Sequence, residues 1–229
     1  MPKYFVDKTL QLKDETIHHL KRVIRIRLGE EVILCDGKSM DYHCTVESLE
    51  PFNLKVNSRQ ESKTEPKCKI TLYQAMPKAD KFEWIIQKAV ELGVYSIVPV
   101  YTAHCIAKIT KAVKIARYQK IAESAAGQCM RGIIPQVQQP MPLEDAIKTT
   151  NGLMLATHEK EKENKIPGIN SYPKDIGLWI GPEGGFSKKE IETMEGAGFS
   201  IVSLGPRILR TETAAIAAIA QIMMVTELS

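Results

Sequence analysis

Hydrophobic and polar positions change rhythm near residue 68. Ahead of that point the apolar, β-prone runs are short and close together, at 31–35, 42–49 and 52–56. The turn signal Asp36-Gly37-Lys38 separates the first two, so a hairpin is predicted there. Short strands at this spacing, with no strong helical run after residue 28, predict a small β-barrel. Residues 60–67, QESKTEPK, are polar, contain Pro66 and read as a linker.

Beyond the linker, strands alternate with helices. Strands are predicted at 70–75, 95–100, 133–137, 153–157, 176–180 and 199–204. Helices are predicted from Asp80 onward and at 111–126, 143–148, 187–195 and 211–228. In the first of these Phe82, Ile85, Ile86, Ala89 and Val90 recur at helical spacing, and Gly93 suits the helix end. Asp80 with Glu83, and Ser187 with Glu190, are capping-box-like starts. Such alternation predicts an α/β domain, a mostly parallel sheet with helices on both faces. The predicted domains are residues 1–68 and 69–229.

Composition changes this picture little. The chain has 229 residues, 44% of them hydrophobic, which suffices for a sizeable core. Its net charge of +4 is too small to imply nucleic acid by itself, so local clustering carries that argument. Lys21, Arg22, Arg25 and Arg27 fall within 16–28, a stretch without an acid. Between 102 and 142, Lys108, Lys111, Lys114, Arg117, Lys120 and Arg131 outnumber the acids. Either cluster alone suits a solvated helix face; the two together favour a polyanionic partner. Cys35, Cys44, Cys68, Cys105 and Cys129 form no CxxC pair, which argues against a disulfide framework and a zinc site. The N-terminus lacks a signal-peptide apolar core, and the run at 214–225 is too short to span a bilayer. A cytoplasmic protein without a metal is expected.

The stretch 178–215 carries the candidate chemistry. Two apolar runs lead straight into Gly181 and Gly205, and each glycine turn precedes a helix start. In an open α/β sheet, ligands sit beyond the carboxyl ends of strands, where such loops gather. Gly181-Pro182-Glu183-Gly184-Gly185-Phe186 lacks both GxxxxGK[ST] and GxGxxG, so a phosphate loop is excluded. Its glycines allow close approach of a ligand to main chain, although an ordinary tight turn fits the spacing equally. Residues 204–210, LGPRILR, offer apolar side chains and bare backbone, a lining suited to an aromatic base. The alanine-rich final helix implies close packing, on the core or on a subunit partner.

IGPEGGFSKKEIE followed by LGPRILRTETA resembles the C-terminal signature of the RsmE family, within the SPOUT superfamily of knotted RNA methyltransferases. Residues 88–94, KAVELGV, resemble a further family motif, as do Gln128, Arg131 and Pro135, and Leu155-Ala156 with Glu159. His19, Arg25, Gly29 and Asp36-Gly37 resemble the family's N-terminal PUA-like barrel. The resemblance spans nearly the whole chain. It departs at Thr102-Ala103-His104-Cys105, where the family more often has an arginine–serine pair, and at Glu123–Gly127.

The resemblance implies a PUA-like RNA-binding barrel followed by a SPOUT domain with a C-terminal trefoil knot that binds S-adenosylmethionine. It implies a homodimer that methylates N3 of one uridine in 16S ribosomal RNA, within the 30S subunit. Leu155, Ala156 and Glu159 would line one side of the cofactor. Ile180, Gly181, Pro182, Glu183, Gly184 and Gly185 would line a second. Leu204, Gly205, Ile208, Leu209, Arg210, Thr213 and Ala214 would complete the site. Lys21, Arg22, Arg25 and Arg27 would contact RNA; Gln128 and Arg131 would face RNA or the neighbouring subunit's pocket. Arg210 or Arg131 would stabilise the uracil anion as N3 loses its proton, with Glu212 or Glu183 as acceptor. Another acceptor, a ribose 2′-hydroxyl or a transfer-RNA base, and a non-catalytic assembly factor are the competing readings.

Overall fold

The computed structural model describes residues 3–7, 9–78, 81–105, 112–166 and 173–227, the side chains of 112–114 excepted. Asp80, Lys108, Lys111 and the Lys114 side chain therefore lie outside the described residues, with the helix cap and part of the basic cluster expected there. The chain divides into two compact units, residues 1–65 with 123–134, and residues 66–122 with 135–229.

The first unit contains β1 (Lys3–Phe5), α1 (Asp14–His19) continued by a wider turn over Leu20–Ile24, β2 (Glu31–Cys35), β3 (Met40–Leu49) and β4 (Phe52–Glu61). The sheet order is β1-β2-β3-β4, with β1 parallel to β2 and the other pairs antiparallel. Among the described residues no pairing joins β4 back to β1. The turn between β2 and β3 forms for local reasons. Asp36 Oδ1 accepts from the main-chain N–H of Lys38 at 2.7 Å and Met40 at 3.1 Å, and Gly37 takes φ +69°. Strand β4 runs on through Gln60 to Glu61, which pairs with Met40, so the polar segment expected as linker begins inside the sheet. Its outer half is exposed and polar, which erased the alternation that marks a strand. Leu20, Ile26, Val32, Leu34, Cys44 and Val46 form the core.

Residues 123–134 complete this unit through polar contacts. The buried Lys3 ammonium donates to Asp41 Oδ2 at 2.8 Å and to the Met130 carbonyl at 3.1 Å. Arg131 is 3% exposed. Its Nη2 lies 2.5 Å from Glu65 Oε2 and its Nε 3.3 Å from Oε1, while Gly132 N–H donates to the same carboxylate at 2.8 Å. This corrects the expectation for Arg131. A guanidinium buried in a fork against a carboxylate is a structural ion pair, not a side chain presented to RNA. Gln128, at the end of its helix, is exposed.

The second unit contains β5 (Lys69–Ala75), α2 (Lys81–Glu91), β6 (Ser96–Tyr101), α3 (Ala112–Gln128, whose last turns belong to the first unit), β7 (Gln136–Val137), β8 (Met141–Pro142), α4 (Leu143–Thr149), β9 (Leu153–Thr157), β10 (Asp175–Ile180), α5 (Lys188–Gly196), β11 (Ser200–Val202) and α6 (Thr211–Glu227). Its sheet runs β11-β9-β10-β5-β6-β7, with β8 also on β6, and every pair is parallel. The central strands are buried and read as near-continuous apolar runs, as parallel strands covered on both faces must. Trp179 stacks on Tyr73 with ring centroids 4.4 Å apart. Ser187 caps α5 in a complete capping box with Glu190. On α6, Ala215, Ala218, Ile219 and Ile222 are fully buried, and this helix packs on α2 and β10. Close approach by small residues is thus used inside the chain.

Residues 158–165 pass beside β11. His158 N–H donates to Val202 O at 3.1 Å, Asn164 Nδ2 to Ile201 O at 3.2 Å, and Ser203 N–H to Asn164 O at 2.6 Å. The carboxyl ends of β9, β10 and β11 are neighbours in the sheet, and the loops that leave them are brought together.

Candidate functional site

Those three strand ends open into a cleft. Thr157, His158 and Glu159 form one side, at the end of β9. Ile180, Gly181, Pro182 and Gly185 follow β10. Ser203, Leu204, Gly205, Arg207 and Leu209 follow β11, and Thr211 and Ala214 come from the first turn of α6. The cleft thus gathers nine of the residues expected from sequence: Glu159, Ile180, Gly181, Pro182, Gly185, Leu204, Gly205, Leu209 and Ala214.

Others fall elsewhere. Leu155 and Ala156 are fully buried within β9, because that strand lies between two neighbours with both faces covered. The lining begins only where the strand ends, at Thr157. Glu183, Gly184, Ile208, Arg210 and Thr213 do not line the cleft; Ile208 is 83% exposed, and Arg210 is also exposed. Sequence reading missed Thr157, His158 and Ser203; Arg207 and Thr211 fell within the loop expected at 205–213 but were given no role in the cofactor site. The available signal for Thr157 and Ser203 was the first hydroxyl after an apolar strand. For Thr211 no local signal separates a helix opener from a group that binds across the fold.

Thr211 ties the two walls together. Its Oγ1 donates to Gly181 O at 2.6 Å and accepts from Gln74 Nε2 at 2.9 Å, and Gln74 is wholly buried at the end of β5. The glycine loop is held by its own contacts as well. Gly185 N–H donates to Pro182 O at 2.9 Å, and Gly185 takes φ +66°. A Cβ on Gly185 would stand 2.9 Å from the Glu159 carboxylate. This is the close approach for which a glycine is required.

Beside the loop, the Lys81 ammonium lies 3.3 Å from both Glu183 and Glu212, and Lys78 N–H donates to Glu183 at 3.1 Å. Burial pushes the Glu183 carboxyl up, but main-chain N–H groups and the Lys81 ammonium outweigh it and hold it below the usual value. For Lys81 the desolvation that would lower it is outweighed by its bonds to Glu183 and Glu212, which raise it.

The wall after β11 is different. Among the described residues, the main-chain N–H groups of Leu204, Arg207 and Leu209 have no hydrogen-bond partner. The cleft therefore offers unspent main-chain donors between the aliphatic surfaces of Ile180, Pro182, Leu204 and Leu209, and one carboxylate, Glu159. That donor set fits S-adenosylmethionine: aliphatic faces and main-chain groups for a purine, and a carboxylate for hydroxyl or ammonium groups.

In the first unit, Arg22, Arg25 and Arg27 are exposed and form no side-chain ion pair among the described residues. Lys21 is engaged with Glu50 at 2.7 Å. Among the described residues no helix is long and apolar enough to cross a membrane, and no cluster of three or more His, Cys, Asp or Glu is placed to hold a metal.

The family model of an RNA methyltransferase domain matches residues 64–223, and that of an RNA methyltransferase PUA domain matches residues 12–56. The ribosomal RNA small subunit methyltransferase E of Bacillus subtilis is 32% identical over the whole of this chain and 98% of its own. The crystal structure of a ribosomal RNA small subunit methyltransferase E from Neisseria gonorrhoeae, bound to S-adenosylmethionine, superposes with a TM-score of 0.90 at 32% identity, covering 98% of each chain. The structure of a Legionella pneumophila protein, also with bound S-adenosylmethionine, gives 0.88 at 34% identity, covering 98% of this chain and 97% of its own. By full-length similarity and by matched domains, the chain belongs to the ribosomal RNA small subunit methyltransferase E family of RNA methyltransferases.

Proposed function

We propose that this protein transfers a methyl group from S-adenosylmethionine to N3 of a uridine in 16S ribosomal RNA, in the cytoplasm, as a homodimer through its second unit. The observation that carries the reading is the cleft at the ends of β9, β10 and β11, whose wall after β11 keeps its main-chain donors unspent. We infer further that residues 158–165 are part of the trefoil knot, since they run beside β11.

When bound, S-adenosylmethionine supplies an already activated methyl group on a sulfonium. This chain's residues have to hold it, exclude water and manage the N3 proton. Leu204, Leu209, Ile180 and Pro182 would enclose the purine, and Glu159 would accept from the ribose hydroxyl or ammonium groups of S-adenosylmethionine. Arg210 is exposed just ahead of α6, and its guanidinium has no partner among the described residues. It is therefore available to stabilise negative charge on the uracil. Glu183 is a weak proton acceptor, because its carboxyl is held low and shared with Lys81. Glu183 and Glu212 act as a clamp on Lys81 instead. Arg22, Arg25 and Arg27 supply phosphate contacts from the first unit.

The test is methylation of purified 30S subunits beside deproteinised 16S RNA, read by nucleoside mass spectrometry, with calorimetry of S-adenosylmethionine binding. N3-methyluridine is the expected product. A 2′-O-methylated nucleoside alone would assign another acceptor, and no heat of binding would make the chain a non-catalytic factor.

A further inference from the structure

We propose that His104 is a positioning residue for methyl transfer: its imidazole holds the Gly184–Gly185 segment, and through it one wall of the cleft, in the shape that accepts S-adenosylmethionine. This rests on the reading of the cleft given above.

His104 Nδ1 lies 3.0 Å from Gly184 O and 3.1 Å from Gly185 O. Carbonyl oxygens only accept, so Nδ1 must carry a proton and donate to the pair. Both carbonyls belong to the glycine loop, and Gly185 lines the cleft. The ring also lies close against Gly184, where a Cβ would come within 3.1 Å of His104 Cβ. On its other side Gly185 faces the Glu159 carboxylate. The loop is thus set between an imidazole outside and a carboxylate within the cleft.

The turn that carries His104 is itself fixed. Ala103 N–H donates to Glu190 Oε1 at 2.7 Å, the same carboxylate that closes the capping box of α5. Cys105 N–H donates to Thr102 O at 3.1 Å. The end of β6 is therefore fastened twice to the β10–α5 connection, once at its glycines and once at its helix start. A run containing Gly184-Gly185 has large conformational freedom, and a left-handed Gly185 must be selected from it. Outside restraint on both carbonyls removes that freedom before the ligand arrives, which is how preorganisation raises affinity.

The test uses the full chain, with calorimetry of S-adenosylmethionine binding and steady-state kinetics on 30S subunits. His104→Ala should raise both Kd and KM for S-adenosylmethionine about tenfold, the equivalent of one well-made hydrogen bond, with kcat changed by less than about twofold. His104→Asn should restore affinity, because its side-chain N–H₂ stands the same number of bonds from the main chain as Nδ1. His104→Gln, with its donor one bond further out, should behave like the alanine variant. His104→Asn should also keep the pH–rate profile of the unsubstituted protein, since holding a carbonyl needs a donor and not a titrating group. His104 is exposed, so thermal melting should show all three variants folded. Unchanged affinity in His104→Ala, or equal rescue by asparagine and glutamine, would overturn the role of His104 alone. A fall in kcat at constant KM that asparagine does not rescue would overturn it in favour of proton transfer by the ring. Failure of the unsubstituted protein to bind S-adenosylmethionine would overturn the reading of the cleft, and the proposal with it.

Discussion

Thr211→Val tests whether the cleft is held together by hydrogen bonds or by packing. Thr211 is 4% exposed, and valine keeps its shape while removing the hydroxyl. Two bonds disappear, the 2.6 Å bond to Gly181 O and the 2.9 Å bond from Gln74 Nε2. Gln74 keeps its bond to Ala75 O at 2.9 Å, and Gly181 is only half-buried. The loss therefore belongs at the low end of the range for unsatisfied groups, about 1 kcal/mol each and about 2 kcal/mol in all. For a chain of this length that corresponds to a fall in Tm of about 4–8 °C. Thr211→Ser keeps the hydroxyl and loses one methyl, a cost of about 0.8 kcal/mol. Urea unfolding at constant m should rank the variants serine above valine, and calorimetry should show the valine variant losing more affinity for S-adenosylmethionine. The opposite ranking, with serine the less stable, would mean that Thr211 acts by packing and that the polar bridge between the walls is unimportant.

Gly185→Val should remove S-adenosylmethionine binding in calorimetry while leaving a cooperative melt, because its Cβ would meet Glu159 from a left-handed backbone; retained affinity would remove Gly185 from the site. Arg210→Ala should lower kcat far more than affinity for S-adenosylmethionine, by about 10²-fold if it stabilises developing charge; equal losses would make it a binding residue. Glu183 has a lowered carboxyl, so the stability it contributes is present above its unfolded value of 4.5 and is lost as pH falls through the folded one. Glu183→Gln should flatten the acid side of a stability–pH curve from thermal melts, and an unaltered acid limb would show that the Lys81 clamp contributes nothing.

What could be read from the sequence was local. The strand at 153–157, the glycine turn after Ile180 and the Ser187–Glu190 capping box each depend on residues within a few positions of one another, and each is present. The partners that decide a side chain's role are distant. Arg131 looked like one of several cations facing a polyanion, but Glu65 takes it up from within the segment read as linker. Leu155 and Ala156 carry a family motif, yet a strand covered on both faces turns neither toward the cleft. Thr211 reads as a helix opener, and only the juxtaposition of β5, β10 and α6 makes it a bridge. His104 stood out only as a departure from the family's pattern, and its two carbonyl partners lie 80 and 81 residues away.

The Glu65–Arg131 pair also bears on the order in which the chain is made. Glu65 is synthesised 66 residues before the guanidinium that neutralises it. At about 5–20 residues per second, that interval lasts roughly 3–13 s on the ribosome. Throughout it, β1 to β4 are already made, but the segment that takes up Glu65 and accepts from Lys3 is missing. The first unit therefore cannot close in its native form from its N-terminal residues alone. It waits until the whole of α3, most of which belongs to the second unit, has been translated. A nascent chain stalled before residue 123 should be more open to protease around 60–65 than one stalled after residue 134, once each has cleared the exit tunnel. Interleaving of this kind couples the completion of one unit to the synthesis of the other.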